Sequence, residues 1–195
     1  MAAARAFAMP AAVAAARGDT GGGGSHRVFV YGTLKRGFYN HRLLASSSAS
    51  FVAEASTRRP MRLVLGEYGV PYLMKGEDAS KDASKDTPPT RVPGELWVVD
   101  DEGLDALDVL EGVSVGMYER VTLEVQVAGD LQREGGVGED ATAFGYVAGA
   151  ESIARGVGSA GCETIRAYDL ATHERAYVPK RDRPATSLGA RTSSS

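Results

Sequence analysis

Among the acidic residues of this 195-residue chain, Glu111 is set apart by where its own helix would put it. Asp100 or Asp101 can cap a helix whose apolar positions are Leu104, Leu107 and Leu110, and Gly112 can close it in the left-handed conformation. At about 100° per residue from Leu104, Leu107 falls at about 300°, Leu110 at about 240° and Glu111 at about 340°, so a carboxyl group shares the apolar stripe. Inward placement at the negative end of the helix dipole favours the protonated form. An acid so placed can accept and return a proton near neutral pH. The same spacing also fits a last turn that leaves the core and lets Glu111 reach water.

A second candidate lies near the start. Val28-Phe29-Val30-Tyr31 reads as a short strand that stops at Gly32, and the turn Tyr31-Gly32-Thr33-Leu34 can present backbone N–H groups to a carboxylate or a developing oxyanion. Lys35 and Arg36 would add positive charge beside it. Alone, a strand-glycine turn followed by basic residues is more often only a turn.

Other chemistries lack their residues. His26, His41 and His173 form no i, i+4 pair, and Cys162 is the only cysteine, so neither a metal site nor a disulfide framework is expected. Cys162 itself reads as a small buried or half-buried apolar residue. No Gly-x-Ser-x-Gly elbow and no Walker sequence occurs. Gly156-Val157-Gly158-Ser159-Ala160-Gly161 has the spacing of a dinucleotide loop but too little chain follows it for further βα units, and it is expected to be a glycine-rich surface loop. No cofactor is therefore anticipated. A net charge of −3 offers no field for a nucleic-acid backbone, and no apolar run is long enough to span a membrane.

The elements that must position these residues are mostly short strands. Beyond the first strand, Asn40 can cap a short helix through Leu43 and Leu44, and an extended run covers Phe51 to Ala55. Met61–Leu65 and Val70–Met74 flank Gly66-Glu67-Tyr68-Gly69 as a hairpin. Gly94–Val99 reads as a strand, Tyr118–Val127 alternates strictly at Val121, Leu123, Val125 and Val127, Ala143–Val147 is another strand, and Glu163–Asp169 forms a last element. This pattern predicts an α+β domain around a closed or strongly curved β-barrel with a few flanking helices. One domain is expected over residues 26–183, with its ordered chain opening at Arg27 and a surface loop at 75–91 that carries the repeat Asp78-Ala79-Ser80-Lys81, Asp82-Ala83-Ser84-Lys85. Residues 1–25, rich in Ala and Gly with Arg5 and Arg17, are expected to be a disordered or targeting extension, and 184–195 a disordered tail. The cytoplasm is the expected compartment, with an organelle as the alternative that a targeting segment would imply.

Taken in order, Val28 to Gly37, Asn40-His41-Arg42, Gly94-Glu95-Leu96-Trp97, Leu107 to Glu111 and Tyr118-Glu119-Arg120 resemble the gamma-glutamylcyclotransferase-like family, in the form of its gamma-glutamylamine cyclotransferase branch. The resemblance covers about residues 27–149. It implies a compact barrel, a substrate cavity at its mouth and no cofactor. It places the family's catalytic glutamate on Glu111 and its substrate-holding turn on Tyr31, Gly32, Thr33 and Leu34. The implied reaction is attack of a γ-glutamyl compound's own α-amine on its γ-carbonyl, releasing 5-oxoproline and a free amine. The implied partner is a small γ-glutamyl molecule, with neither nucleic acid nor membrane involved. Because Thr33 follows Gly32 where relatives acting on glutathione carry serine, γ-glutamylamines are the favoured substrates. A non-catalytic small-molecule-binding or interaction protein on the same fold is the alternative.

Overall fold

The computed structural model describes residues 24–45, 48–75, 88–128, 139–159 and 161–184. Most of the expected extension, much of the 75–91 loop and nearly all of the expected tail lie outside these residues. The chain runs β1 (Ser25–Val30), α1 (His41–Ala45), β2 (Ser50–Thr57), β3 (Leu63–Leu65), β4 (Pro71–Leu73), β5 (Pro93–Asp100), α2 (Asp101–Glu111), β6 (Tyr118–Val127), β7 (Asp140–Ala148), α3 (Ala150–Ala154), β8 (Glu163–Ile165) and α4 (Leu170–Ala176). Five strands close a barrel in the order β1-β5-β2-β6-β7, and β4-β3-β8 form a separate small sheet. This is the α+β barrel with few helices that the strand pattern predicts. None of the described helices is long and apolar enough to cross a membrane.

Barrel closure depends on β1. It pairs antiparallel with β5 from Ser25↔Asp100 to Val30↔Glu95 and meets β7 in parallel at Val28↔Phe144. Val28, Phe29 and Val30 are buried, as a strand covered on both faces requires. β1 begins two residues before Arg27, because Gly24 N donates to Asp101 Oδ2 at 2.6 Å and His26 Nε2 lies 2.6 Å from Asp101 Oδ1. The expected hairpin forms, Leu63↔Leu73 to Leu65↔Pro71, but in the small sheet and with Tyr68 at φ 59 in its turn.

α2 is built as its sequence dictates. Asp100 supplies the cap, its side chain accepting from Gly103 N at 2.8 Å and satisfying one of the helix's otherwise open amides. Gly112 closes the helix at φ 64, ψ 41. Leu104 and Leu107 are buried against Val28, Val30, Trp97 and Val99, and cutting either to alanine would cost about 2–5 kcal/mol. The helix is thereby fixed to the barrel at the end where Glu111 leaves it.

The last stretch differs from expectation. β8 spans only three residues, and Asp169 then caps α4, accepting from Thr172 N at 2.8 Å. No residue of α4 is buried. A helix without an apolar stripe leaves no periodic signal, and this one read as charged tail.

Candidate active site

Glu111 sits at the last position of α2 and points into a cavity of about 1200 Å³. It is only partly covered from solvent, through the cavity itself, yet lies deep enough that burial raises its carboxyl pKa to about 8. The inward placement of the two that spacing allowed is the one adopted. Tyr31, Tyr72, Tyr118 and Tyr146 share the cavity wall with it. Burial pushes all four phenols up, and the charge on Glu111 adds to that in each. The phenols therefore remain protonated at neutral pH. Glu111 is the acid among them that can change state there.

The phenols are fixed by their own bonds. Tyr31 Oη donates to Tyr146 O at 2.7 Å and accepts from Leu73 N at 3.2 Å. Tyr118 Oη donates to Pro71 O at 2.8 Å, and its ring stacks on Tyr72 at 4.6 Å. Tyr146 Oη donates to Asp108 Oδ1 at 2.8 Å, while Arg120 Nη1 lies 2.8 Å from Asp108 Oδ2 as an ion pair not aligned as a hydrogen bond. Asp108, one turn before Glu111, thus ties α2 to β6 and β7.

The turn from Tyr31 to Leu34 lines the same cavity. Gly32 and Leu34 are buried, yet among the described residues none accepts a hydrogen bond from the amides of Gly32, Thr33 or Leu34. Buried donors left open call for a ligand or water. The turn is held from outside: Asn40 N donates to Thr33 O at 3.0 Å, and Asn40 Nδ2 donates to Thr33 Oγ1 at 2.9 Å. That side chain steadies the turn, beyond the capping position expected for it at the head of α1. Glycine is needed at 32 for space, since an added Cβ would stand 2.7 Å from Pro71 Cγ.

Lys35 and Arg36 do not face the cavity. Lys35 Nζ donates to Tyr168 O at 2.6 Å. Arg36 pairs with Glu95 at 3.1 Å and with Glu54, and its guanidinium lies 3.7 Å from the Phe51 ring centroid. The expected positive charge beside the turn is directed away from it, because the buried Glu95 takes both the Arg36 backbone amide and its side chain.

Residues 28–177 match the family described as Gamma-glutamyl cyclotransferase, AIG2-like. The chain belongs to this family. Its members that resemble it include gamma-glutamylaminecyclotransferase of Homo sapiens, 39% identical over 53% of this chain and 63% of that protein. The Rattus norvegicus protein of the same name is 35% identical over 61% of this chain and 75% of its own length. The match to the human relative thus spans less than two thirds of that protein. Among solved structures, the crystal structure of an AIG2-like protein from Mus musculus superposes with a TM-score of 0.59 at 29% identity, over 82% of this chain and 99% of that one.

Within this AIG2-like fold the five residues singled out from sequence, Tyr31, Gly32, Thr33, Leu34 and Glu111, all line one cavity. Sequence reasoning missed most of the rest of the wall. Seven of the eight tyrosines face the cavity, Tyr39, Tyr68 and Tyr177 besides the four named above. Tyr118 had a signal, since it opens β6 and the Tyr118-Glu119-Arg120 segment. Tyr72 and Tyr177 gave none. The Gly156–Gly161 run also differs from expectation: Gly156 and Val157 line the cavity, with Gly156 at φ 94 and Gly158 at φ 87. It follows the five-residue α3 and leads into β8, the reverse of the strand-to-helix context that a dinucleotide loop needs. Cys162 is half-buried against it, its Sγ 3.3 Å from Gly156 O. Among the described residues no three His, Cys, Asp or Glu side chains gather as a metal site would require.

Proposed function

We propose that this chain is a γ-glutamylamine cyclotransferase that releases 5-oxoproline and a free amine, with Glu111 as general acid/base. The observation that carries the reading is the pairing, in one cavity, of a carboxyl raised to about 8 with three open amides at Gly32, Thr33 and Leu34. Cyclisation needs little more, because the substrate brings its own nucleophile and its α-amine reaches the γ-carbonyl by closing a five-membered ring.

The glutamyl part binds with an anionic oxygen on the Gly32–Leu34 amides and its ammonium toward Glu111. The ammonium's charge favours the carboxylate form of Glu111, which then takes a proton from the nitrogen. The freed amine attacks the γ-carbonyl carbon, forming the ring C–N bond and placing negative charge on oxygen. Collapse of that intermediate breaks the bond to the leaving nitrogen, which receives one proton from Glu111, and the second proton of the ring nitrogen then passes by way of the freed carboxylate to the departing amine, which leaves as an ammonium. The carboxylate is regenerated with the two products. The phenols of Tyr31 and Tyr118, fixed by their bonds to backbone carbonyls, keep the site shaped and dry.

Amine-type substrates are favoured by the human and rat relatives' name and by Thr33 after Gly32. The test is 5-oxoproline release from γ-glutamyl-ε-lysine, a γ-glutamyl amino acid and glutathione. Wild-type protein is expected to turn over the first most efficiently, and Glu111→Gln to lose about 10²–10⁴ in kcat while still binding it. Near wild-type turnover by the glutamine variant would remove Glu111 from the chemistry.

A further inference from the structure

Each phenol beside Glu111 carries one hydrogen, and a carbonyl or carboxylate partner settles where that hydrogen goes. Tyr31 Oη gives its hydrogen to Tyr146 O, Tyr118 Oη to Pro71 O and Tyr146 Oη to Asp108 Oδ1. Tyr72 differs. Among the described residues no carbonyl or carboxylate takes its hydrogen, and the hydroxyls that lie beside its oxygen are those of Ser152 and Tyr118. Both have committed their own hydrogens elsewhere, Ser152 Oγ to Met117 O at 2.6 Å and Tyr118 Oη to Pro71 O. Glu111 does not take it either, since burial raises its carboxyl and no hydrogen bond offsets that.

The Tyr72 oxygen is also open. Among the described residues the unpaired polar side-chain atoms sealed from solvent are Arg62 Nη1 and Arg120 Nη1, so the Tyr72 oxygen, neither paired nor sealed, faces the cavity that Tyr72 lines. Its ring is fixed: it stacks on Tyr118 with centroids 4.6 Å and planes 9° apart, and it packs on Gly66, where an added Cβ would stand 2.6 Å from Tyr72 Cε2. Through Pro71, whose Cγ closes on Gly32, the same strand walls the turn that carries the open amides. The carboxyl of Glu111 is near enough for its charge to act on the Tyr72 phenol, and burial keeps that phenol protonated at neutral pH.

We infer that Tyr72 is a second catalytic residue, whose hydroxyl donates to the γ-carbonyl oxygen of the substrate and to the negative charge that forms there on ring closure. This deepens the cyclotransferase reading and rests on it. An anionic oxygen of the glutamyl part stays on the Gly32–Leu34 amides, Glu111 moves the protons and Tyr72 bonds the reacting oxygen. No proton is transferred to that oxygen. The O–H bond stays on Tyr72 through the attack, and the charge returns to re-form the carbonyl as the bond to the leaving nitrogen breaks. A donor with no carbonyl or carboxylate to give up needs little rearrangement when charge develops, and away from bulk water it counts for more.

5-Oxoproline keeps the former γ-carbonyl oxygen as its ring carbonyl, so binding and turnover test the contact separately. Calorimetry on the full chain compares 5-oxoproline with the thiolactam in which sulfur, a weaker acceptor, replaces that oxygen. Tyr72→Phe, which keeps the ring and its stack, is expected to lower the oxygen-to-sulfur affinity ratio about 5-fold relative to wild type. The ratio is taken within one protein, so a lowered Tm in the variant does not disturb it. Turnover compares γ-glutamylethylamide with its 2,2,2-trifluoroethylamide, whose weakly basic leaving amine depends less on protonation. Tyr72→Phe is expected to lower kcat about 10²-fold on both, because either compound forms the oxyanion. A loss confined to the ethylamide would move the Tyr72 hydrogen to the leaving nitrogen and overturn the inference. A kcat within about 2-fold of wild type, or an unchanged oxygen-to-sulfur ratio, overturns it as well. If wild type releases 5-oxoproline from neither amide, the cyclotransferase reading falls, and the ratio still decides whether Tyr72 bonds the carbonyl oxygen.

Discussion

Glu111 ionises at about 8 in the folded protein against an ordinary value of 4.5. Between those values the folded state keeps a proton that the unfolded chain has lost. Stability from this group is therefore full below about 4.5, falls as pH rises toward about 8 and is constant above it. Glutamine at 111 is neutral throughout and removes that slope. Glu111→Gln is expected to match wild type in thermal unfolding near pH 4.5 and to exceed it near pH 8 by the equivalent of about 2–4 kcal/mol. Parallel Tm curves for the two proteins across that range would mean that the carboxyl is not desolvated. A site residue whose removal stabilises the fold is the pattern expected where activity requires a strained or dry charge. The position was legible because a helical wheel and a closing glycine both bear on it. The upward direction of its pKa was legible from the same placement; the depth of burial that sets its size was not, because the cavity wall around it is shared by Tyr31, Tyr72, Tyr118 and Tyr146, which come from four separate stretches of chain.

At the scale of the elements, the turn after β1 depends on β4. Pro71 is fixed by its place in β4 and by the Tyr118 hydroxyl on its carbonyl, so a methyl group at 32 has nowhere to go. Gly32→Ala is expected to cost about 1–3 kcal/mol in stability and, by shifting the open amides, about 10²-fold in kcat/KM. Pro71→Ala makes room, and in that background the same change is expected to cost much less in a double-mutant cycle. An undiminished loss would assign the glycine another role. β6 was readable from its strict alternation, and the hairpin of β3 and β4 from its glycines. The direction of Lys35 and Arg36 was not, since it is set by Glu95, 59 residues away, and by Tyr168, 133 residues away. α4 carries polar residues on every side and held no pattern to find.

For the molecule as a whole, the described structure starts at Gly24, whose amide reaches Asp101. Removal of residues 1–23 is expected to leave Tm and 5-oxoproline release unchanged, whereas removal through Ser25 also strips that bond and is expected to lower Tm by a few degrees. A fall in Tm on the shorter truncation would extend the domain toward the N-terminus. The barrel's closure has a temporal side as well. Of the described strands, β1, which leads into the Tyr31–Leu34 turn, is the first to leave the ribosome, yet its partners on either side are β5 and β7, and Tyr31 finds its acceptor on Tyr146, 115 residues later. The site consequently cannot exist on a nascent chain until nearly the whole barrel has been synthesised. Until then β1 presents Val28, Phe29 and Val30 uncovered, and the growing polypeptide is at its most vulnerable to association with other chains.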